Sequence, residues 1–290
     1  MANVCSGGLD IGFTALNYAQ IGVLGILQGI TELLPISSTA HMRVIPALLG
    51  WPDPGSAFSA AMQMAALAAV VSYFWRDIVA VVSGSTNAVL RRDFDDQWFR
   101  LGVAIVLATI PIGIAGIALS SMLNACASPL RGLQVIGISS VVMAGLLAVA
   151  EVTCRHQRTV DQMRLKDALI VGLAQIGALI PGVSRSGSTL TAALFLNFRR
   201  EEAARFSFLL GLPAIALAGL KELWILYHAH IPAEAWSMLA FGLIVASGSA
   251  FVAIWGLMRF LERFSTWVFV FYRAALGLFL IAAVSTGFLH

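Results

Sequence analysis

The sequence predicts an all-α integral membrane protein, six transmembrane helices plus two re-entrant helical hairpins arranged as an inverted-topology repeat. Three observations predict it: an apolar composition, two apolar stretches broken in the middle, and a lopsided distribution of basic residues. Of 290 residues, 59% are hydrophobic and 11% charged, where a soluble domain carries about a quarter charged. Polar groups on that scale cannot cover a surface in water, and a bilayer is the matching solvent.

The clearest spans are residues 57–75, 101–121, 132–151, 206–220, 237–258 and 266–288. The stretches 13–50 and 168–198 differ. Each is interrupted by Pro, Gly and small hydroxyl residues, at Leu34-Pro35-Ile36-Ser37-Ser38-Thr39 and at Ile180-Pro181-Gly182-Val183-Ser184-Arg185-Ser186. Irregular backbone at membrane depth survives only where protein or a water-filled cavity satisfies it, so both read as hairpins rather than crossings.

Loops 76–100, 152–167, 199–205 and 259–265 hold 13 of the 18 Lys and Arg residues. That asymmetry places these loops in the cytoplasm and both termini outside. The first hairpin then dips in from outside and the second from inside. Arg43, Arg131, Arg185, Lys221 and Arg273 stand apart from the loops.

A shift of 146 residues superposes Pro35 on Pro181 and Ser38 on Ser184, and Gln28 falls within one place of Gln175. Phe58 and Trp75 lie near equivalents of Phe206 and Trp224. The whole chain, 1–290, reads as one polytopic domain with repeat 1 at about 13–151 and repeat 2 at about 168–288. Inverted repeats of this kind put a site where broken helices meet near the midplane.

Other features exclude more than they assign. The N-terminus lacks the basic region of a signal peptide. Cys5, Cys126 and Cys154 form neither a disulfide framework nor a metal cluster and read as structural. A net charge of +3 is too small to suggest nucleic acid. The charges Arg199 to Glu202 and Arg91 to Asp96 read as solvated loop residues, and His228 and His230 as surface groups.

The chemistry concentrates in the two breaks. Gln28 and Glu32, four apart, share a helix face. A carboxylate at this depth costs about 2.5–3.5 kcal/mol, so Glu32 needs a polar interior with a metal or cation partner. Ser37, Ser38 and Thr39 followed by His41 supply a nucleophile and a base within one or two turns. Arg185 needs an anionic partner, and its planar fork matches phosphate oxygens. Gly182, Gly187 and the hydroxyls of Ser184, Ser186 and Thr189 let backbone N–H groups converge on an anion at a helix N-terminus. A structural Arg185–Glu32 pair is the competing reading. Gln63 either lines the site or bonds a neighbour.

These two motifs, in this order, closely resemble the undecaprenyl-pyrophosphate phosphatase family, also known for bacitracin resistance, across essentially the whole chain. The resemblance implies a hydrolase in the bacterial cytoplasmic (inner) membrane. It would remove the terminal phosphate of undecaprenyl diphosphate and so recycle the lipid carrier for peptidoglycan. It implies a site opening toward the periplasmic face and dependence on a divalent cation, Mg²⁺ foremost and Ca²⁺ as the alternative. Glu32 matches the family's essential acid, Ser38 its proposed nucleophile, His41 its histidine and Arg185 its phosphate-binding arginine. Ser184 and Thr189 match hydroxyl contacts. Gln28 stands where many members carry Glu, leaving Glu32 and Gln28 as the metal ligands; Ala40 replaces a common Gly.

In the mechanism expected, Arg185 and the 182–187 backbone hold the terminal phosphate, Ser38 attacks with His41 as base, and Gln28, Ser37, Thr39, Ser186 and Thr189 contact substrate. Attack by water is the alternative. The rival function is a transporter or flippase of a polyprenyl phosphate, with Glu32–Arg185 as a gating pair. An acid-phosphatase-like lipid phosphatase is disfavoured because no His follows Arg185 before His228. Partners are the lipid substrate and membrane lipids; a homodimer is left open.

Overall fold

The structure, a computed structural model, describes residues 5–6, 9–119, 130 and 132–289; Cys126 and Arg131 lie outside them, and Cys5 is described by its backbone alone. The described residues form eleven α-helices: α1 (Tyr18–Leu33), α2 (Ser38–Leu49), α3 (Ser56–Tyr73), α4 (Trp75–Arg91), α5 (Gln97–Ala118), α6 (Leu133–Thr153), α7 (Leu165–Ile176), α8 (Arg185–Phe195), α9 (Arg200–His228), α10 (Ala233–Arg263) and α11 (Trp267–Ser285). Strand structure among them is a two-residue ladder, Cys5–Ser6 with Leu9–Asp10, and one bridge between Arg158 and Phe198.

Six helices, α3, α5, α6, α9, α10 and α11, are long and apolar enough to cross a membrane. They coincide with the six expected spans, so this is a multi-pass membrane protein. The other two apolar stretches are helix–break–helix units: α1 and α2 around residues 34–37, α7 and α8 around 177–184.

One element departs from expectation. Residues 76–91, read as part of loop 76–100, belong to helix α4 (Trp75–Arg91), because apolar residues recur every three or four positions within the charged segment. Ile78 and Val81 pack on the core while Trp75, Val82 and Leu90 stay exposed. Gly84 lets α4 cross α5 closely; a Cβ there would stand 2.6 Å from the Trp98 Cβ.

Small residues govern the packing of the spans. α1 lies along α10, α7 along α5, and α6 along α11. At the α6–α11 crossing two glycines meet back to back: a Cβ on Gly137 would stand 3.0 Å from the Gly277 carbonyl oxygen, and one on Gly277 2.6 Å from that of Gly137. Such contacts replace the hydrophobic drive that lipid cannot supply.

The four basic loops converge at one end of the bundle. Arg200 pairs with Glu151, which also accepts from Thr266 Oγ1 at 2.8 Å, and Arg205 pairs with Asp77. Glu202 accepts the Val160 N–H at 2.9 Å. The expectation that Arg199 to Glu202 are solvated is therefore corrected. Arg199 is exposed, but Arg200 and Glu202 are half-buried in ion pairs, because loop 154–164 folds down over the start of α9.

Candidate active site

Both breaks end in the same backbone device. Pro35 disfavours helix at Leu34, which turns extended at φ −70°, ψ 145° and stops α1. The chain re-enters helix α2 through Ser37, at φ 72° and ψ 98°, whose hydroxyl caps the Ala40 N–H. The second break re-enters α8 through Ser184, at φ 73° and ψ 125°, whose hydroxyl caps the Gly187 N–H. Positive φ on a serine costs on the order of 1–3 kcal/mol, and such strain clusters at functional sites. Ser37 and Ser184 are 147 positions apart, as are Gln28 and Gln175. The structural register is thus 147 at these positions, one more than the sequence match of Ser38 to Ser184; Arg185 takes the place equivalent to Ser38.

The N-termini of α2 and α8, each carrying partial positive charge, meet at Glu32. This carboxylate is 6% exposed and fully engaged. Its Oε2 accepts from Gln28 Nε2 at 3.0 Å and from Ser38 Oγ at 2.6 Å, and its Oε1 accepts from Arg185 Nη2 at 3.2 Å. The Nε and Nη1 of Arg185 are buried without a partner, so two charged donors remain to take an anion. Gly211 of α9 makes room for this guanidinium, since a Cβ there would overlap it.

The remaining predicted residues divide. Ser186 Oγ bonds the carbonyl of Leu34 at 3.1 Å and so links the second break to the end of α1. Ser37 shares a hydrogen bond with Thr39, and Ser184 one with Ser186. Thr189 is not at the cluster's face: its hydroxyl donates to the Arg185 carbonyl at 2.8 Å and is shared with Ser207, holding the first turn of α8. His41 does not contact Ser38 as a base would. Its Nδ1 donates to the Ser37 carbonyl at 2.7 Å, and its Nε2 then accepts from Tyr272 OH at 2.6 Å. Ser38 instead points its proton at Glu32, because its place on the first turn of α2 faces the last turn of α1.

Sequence reasoning left Arg273, Tyr272 and Gly211 without a role. Arg273, 1% exposed on α11, donates to the carbonyls of Pro35 at 2.9 Å, Gly182 at 2.7 Å and Val183 at 2.9 Å. One guanidinium thereby ties the two breaks together at carbonyls one or two residues before the capping serines. The signal was visible, an arginine inside an apolar span, but topology alone was read from it. Tyr272 and Gly211 gave no such signal.

A cavity of about 270 Å³ adjoins the cluster at the end of the bundle opposite the basic loops. Thr39, Arg43, Gln63, Ile136, Leu179 and Pro181 are among its lining. Gln63 therefore lines a cavity beside the site.

A family model described as "Bacitracin resistance protein BacA" matches residues 21–279. The chain belongs to this family. Relatives agree: "Undecaprenyl-diphosphatase 2" of Mesorhizobium japonicum is 70% identical over 263 residues, 91% of this chain and 100% of the relative. "Undecaprenyl-diphosphatase" of Gloeobacter violaceus is 49% identical over 92% of each chain, and that of Trichormus variabilis 47% identical over 96% of this chain and 88% of its own. Both helix breaks fall within the BacA match, and its residues include every member of the Glu32 cluster.

Proposed function

We propose that this protein is an undecaprenyl-diphosphate phosphatase, hydrolysing the terminal phosphate of the lipid diphosphate to return the carrier to cell-wall synthesis. The observation that carries the reading is Glu32, buried between Ser38 and Arg185 with two guanidinium donors of Arg185 still open. A hydroxyl bonded to a carboxylate beside unspent positive donors is what phosphoryl transfer from an anionic substrate requires. The names of the relatives point to the same substrate.

In this mechanism the free Nε and Nη1 of Arg185 hold the terminal phosphate. Ser38 Oγ attacks phosphorus as Glu32 Oε2 takes its proton, and the bond to the bridging oxygen breaks with lipid monophosphate leaving. Glu32 gives that proton up to the departing lipid phosphate; water then cleaves the phosphoserine, its proton passing through Glu32 to the Ser38 oxygen as the Ser38 O–P bond breaks, and inorganic phosphate departs. His41 and Tyr272 orient the first turn of α2 rather than accept the Ser38 proton. A divalent cation, when bound, adds positive charge against the diphosphate. Glu32 and Gln28 would hold it: they share one helix face, Glu32 offering carboxylate oxygens and Gln28 its amide oxygen in place of the Nε2 that now donates to Glu32. No group of three His, Cys, Asp or Glu gathers among the described residues, which fits Mg²⁺, an ion that uses one or two carboxylates plus substrate phosphates.

The two helix–break–helix units are re-entrant hairpins of an inverted repeat. The common register of 147, the paired capping serines and the α6–α11 glycine contact support this. The halves are not chemically equal: Leu179 stands where the first half has Glu32, and the buried Gln175 amide has no partner. The repeat makes one composite site, with acid and nucleophile from the first hairpin and anion-binding arginine from the second. The basic loops face the cytoplasm of an inner membrane, and the cavity at the opposite end opens the site outward.

The test is phosphate release from undecaprenyl diphosphate by detergent-purified protein, with and without Mg²⁺, beside Arg185→Ala. Metal-dependent release abolished by the substitution is expected. Absence of release from folded protein would instead favour a lipid-phosphate flippase, which acts only across sealed membranes.

A further inference from the structure

The cavity beside the cluster has a mixed polar and apolar lining. Thr39, Arg43, Asp53 and Gln63 are among its polar lining, and Ile136, Leu179 and Pro181 among its apolar lining. At about 270 Å³ it is close to the lower end of small-molecule sites. Such a lining suits the point of an amphiphile where a charged phosphate joins a hydrocarbon chain.

Arg43 is the cationic residue of that lining. It lies one helical turn beyond Thr39, so both share a face of α2. Helical side chains lean toward the helix N-terminus, which here is Ser38. The rise from Ser38 to Arg43 is roughly 7.5 Å and the two stand about 140° apart around the helix, so a diphosphate reaches both by passing the Thr39 edge, with the long arginine side chain closing the remaining distance. Arg43 pairs with Asp53, both side chains being part-exposed at 33% and 26%. Asp53 is itself fixed by accepting the Gly55 N–H at 3.2 Å.

We propose that Arg43 is a second phosphate subsite, binding the phosphate that stays on the lipid and leaving Asp53 to do so, while Arg185 holds the phosphate that is cleaved. The inference rests on the phosphatase reading above. It assigns the two arginines to the two phosphates by position: Arg185 at the nucleophile, Arg43 further along α2 in the lining of a cavity that also holds apolar residues. Asp53 is then a competitor that keeps Arg43 satisfied when the cavity holds no substrate.

Three ligands separate the subsites. Undecaprenyl diphosphate occupies both, the lipid monophosphate retains only the phosphate assigned to Arg43, and inorganic phosphate fits the Arg185 end. In steady-state phosphate release by detergent-purified protein, Arg43→Gln is expected to raise KM for the diphosphate about tenfold, the worth of one charged hydrogen bond. The inhibition constant of lipid monophosphate should rise by the same factor, with kcat and inhibition by inorganic phosphate unchanged. Arg43→Lys should fall between. Asp53→Asn keeps the acceptor for Gly55 but removes the competing charge, so it should lower both constants. A fall in kcat at constant KM, or equal weakening of all three ligands, would overturn the subsite while leaving the phosphatase intact. No release by the unaltered protein would overturn both.

Discussion

Gly211 of α9 and the Arg185 guanidinium of α8 are complementary: a single Cβ at 211 would overlap the guanidinium. Glycine inside a helix costs about 0.5–1 kcal/mol relative to alanine, so its presence here is explained by the space it leaves. Gly211→Ala is therefore expected to lower phosphate release about 10²-fold, the scale of losing one positioned charge donor, with a fall in melting temperature from the displaced Arg185–Glu32 pair. Unchanged release would mean that Arg185 reaches the phosphate from another rotamer.

Glu32, not His41, receives the Ser38 hydrogen bond, and both ring nitrogens of His41 are already engaged. Glu32→Gln should lower kcat about 10³-fold, within the range of general acid–base catalysis. His41→Gln should cost about tenfold, the loss of one orienting hydrogen bond. The reverse order in parallel assays would return the base to His41. Trapped phospho-Ser38 should accumulate in Glu32→Gln if the carboxylate also serves dephosphorylation.

How much of this was legible in the sequence depends on the signal each residue sends. The spans were legible because a bilayer demands long apolar runs, and Glu32 and Arg185 because ionised groups in such runs are expensive. α4 was not, since its charges at Arg76, Asp77 and Arg91 outweighed its periodic apolar face. The one-residue error in the repeat arose at proline: Pro35 and Pro181 match as residues, but Gly182, at φ 95°, occupies the place structurally equivalent to Pro35. His41 beside Ser38 in sequence suggested a catalytic pair; both ring nitrogens are instead taken, by the Ser37 carbonyl and by Tyr272 OH. That partner is 231 positions distant, and no local pattern could announce it.

His156 lies outside the spans, in the loop that covers the start of α9, with Nδ1 3.2 Å from Cys154 Sγ and Nε2 3.9 Å from Glu151. Burial, then the Arg200 charge, lower its pKa from 6.5. The unfolded chain binds that proton more readily, so stability rises with pH here. The contribution is complete above pH 6.5 and is lost as pH falls below it through the lowered value. Melting temperatures in detergent should decline from pH 7.5 toward pH 5, and His156→Gln should flatten part of that decline. An identical profile for the variant would assign the acid sensitivity to other groups.

Arg273 pairs with no carboxylate among the described residues, and three backbone carbonyls take its place. These carbonyls precede the strained Ser37 and Ser184, so the guanidinium fixes the two turns that present Ser38 and Arg185 to each other. Arg273→Met would leave the carbonyls unpaired, at about 1–3 kcal/mol each, offset in part by removing a buried charge. A clear fall in melting temperature together with loss of release is expected. Arg273→Lys keeps the charge but cannot span both breaks with a planar fork; it should recover stability more than kcat. Full activity in the lysine variant would show that charge at this position suffices, and that bridging the breaks is not what positions the site.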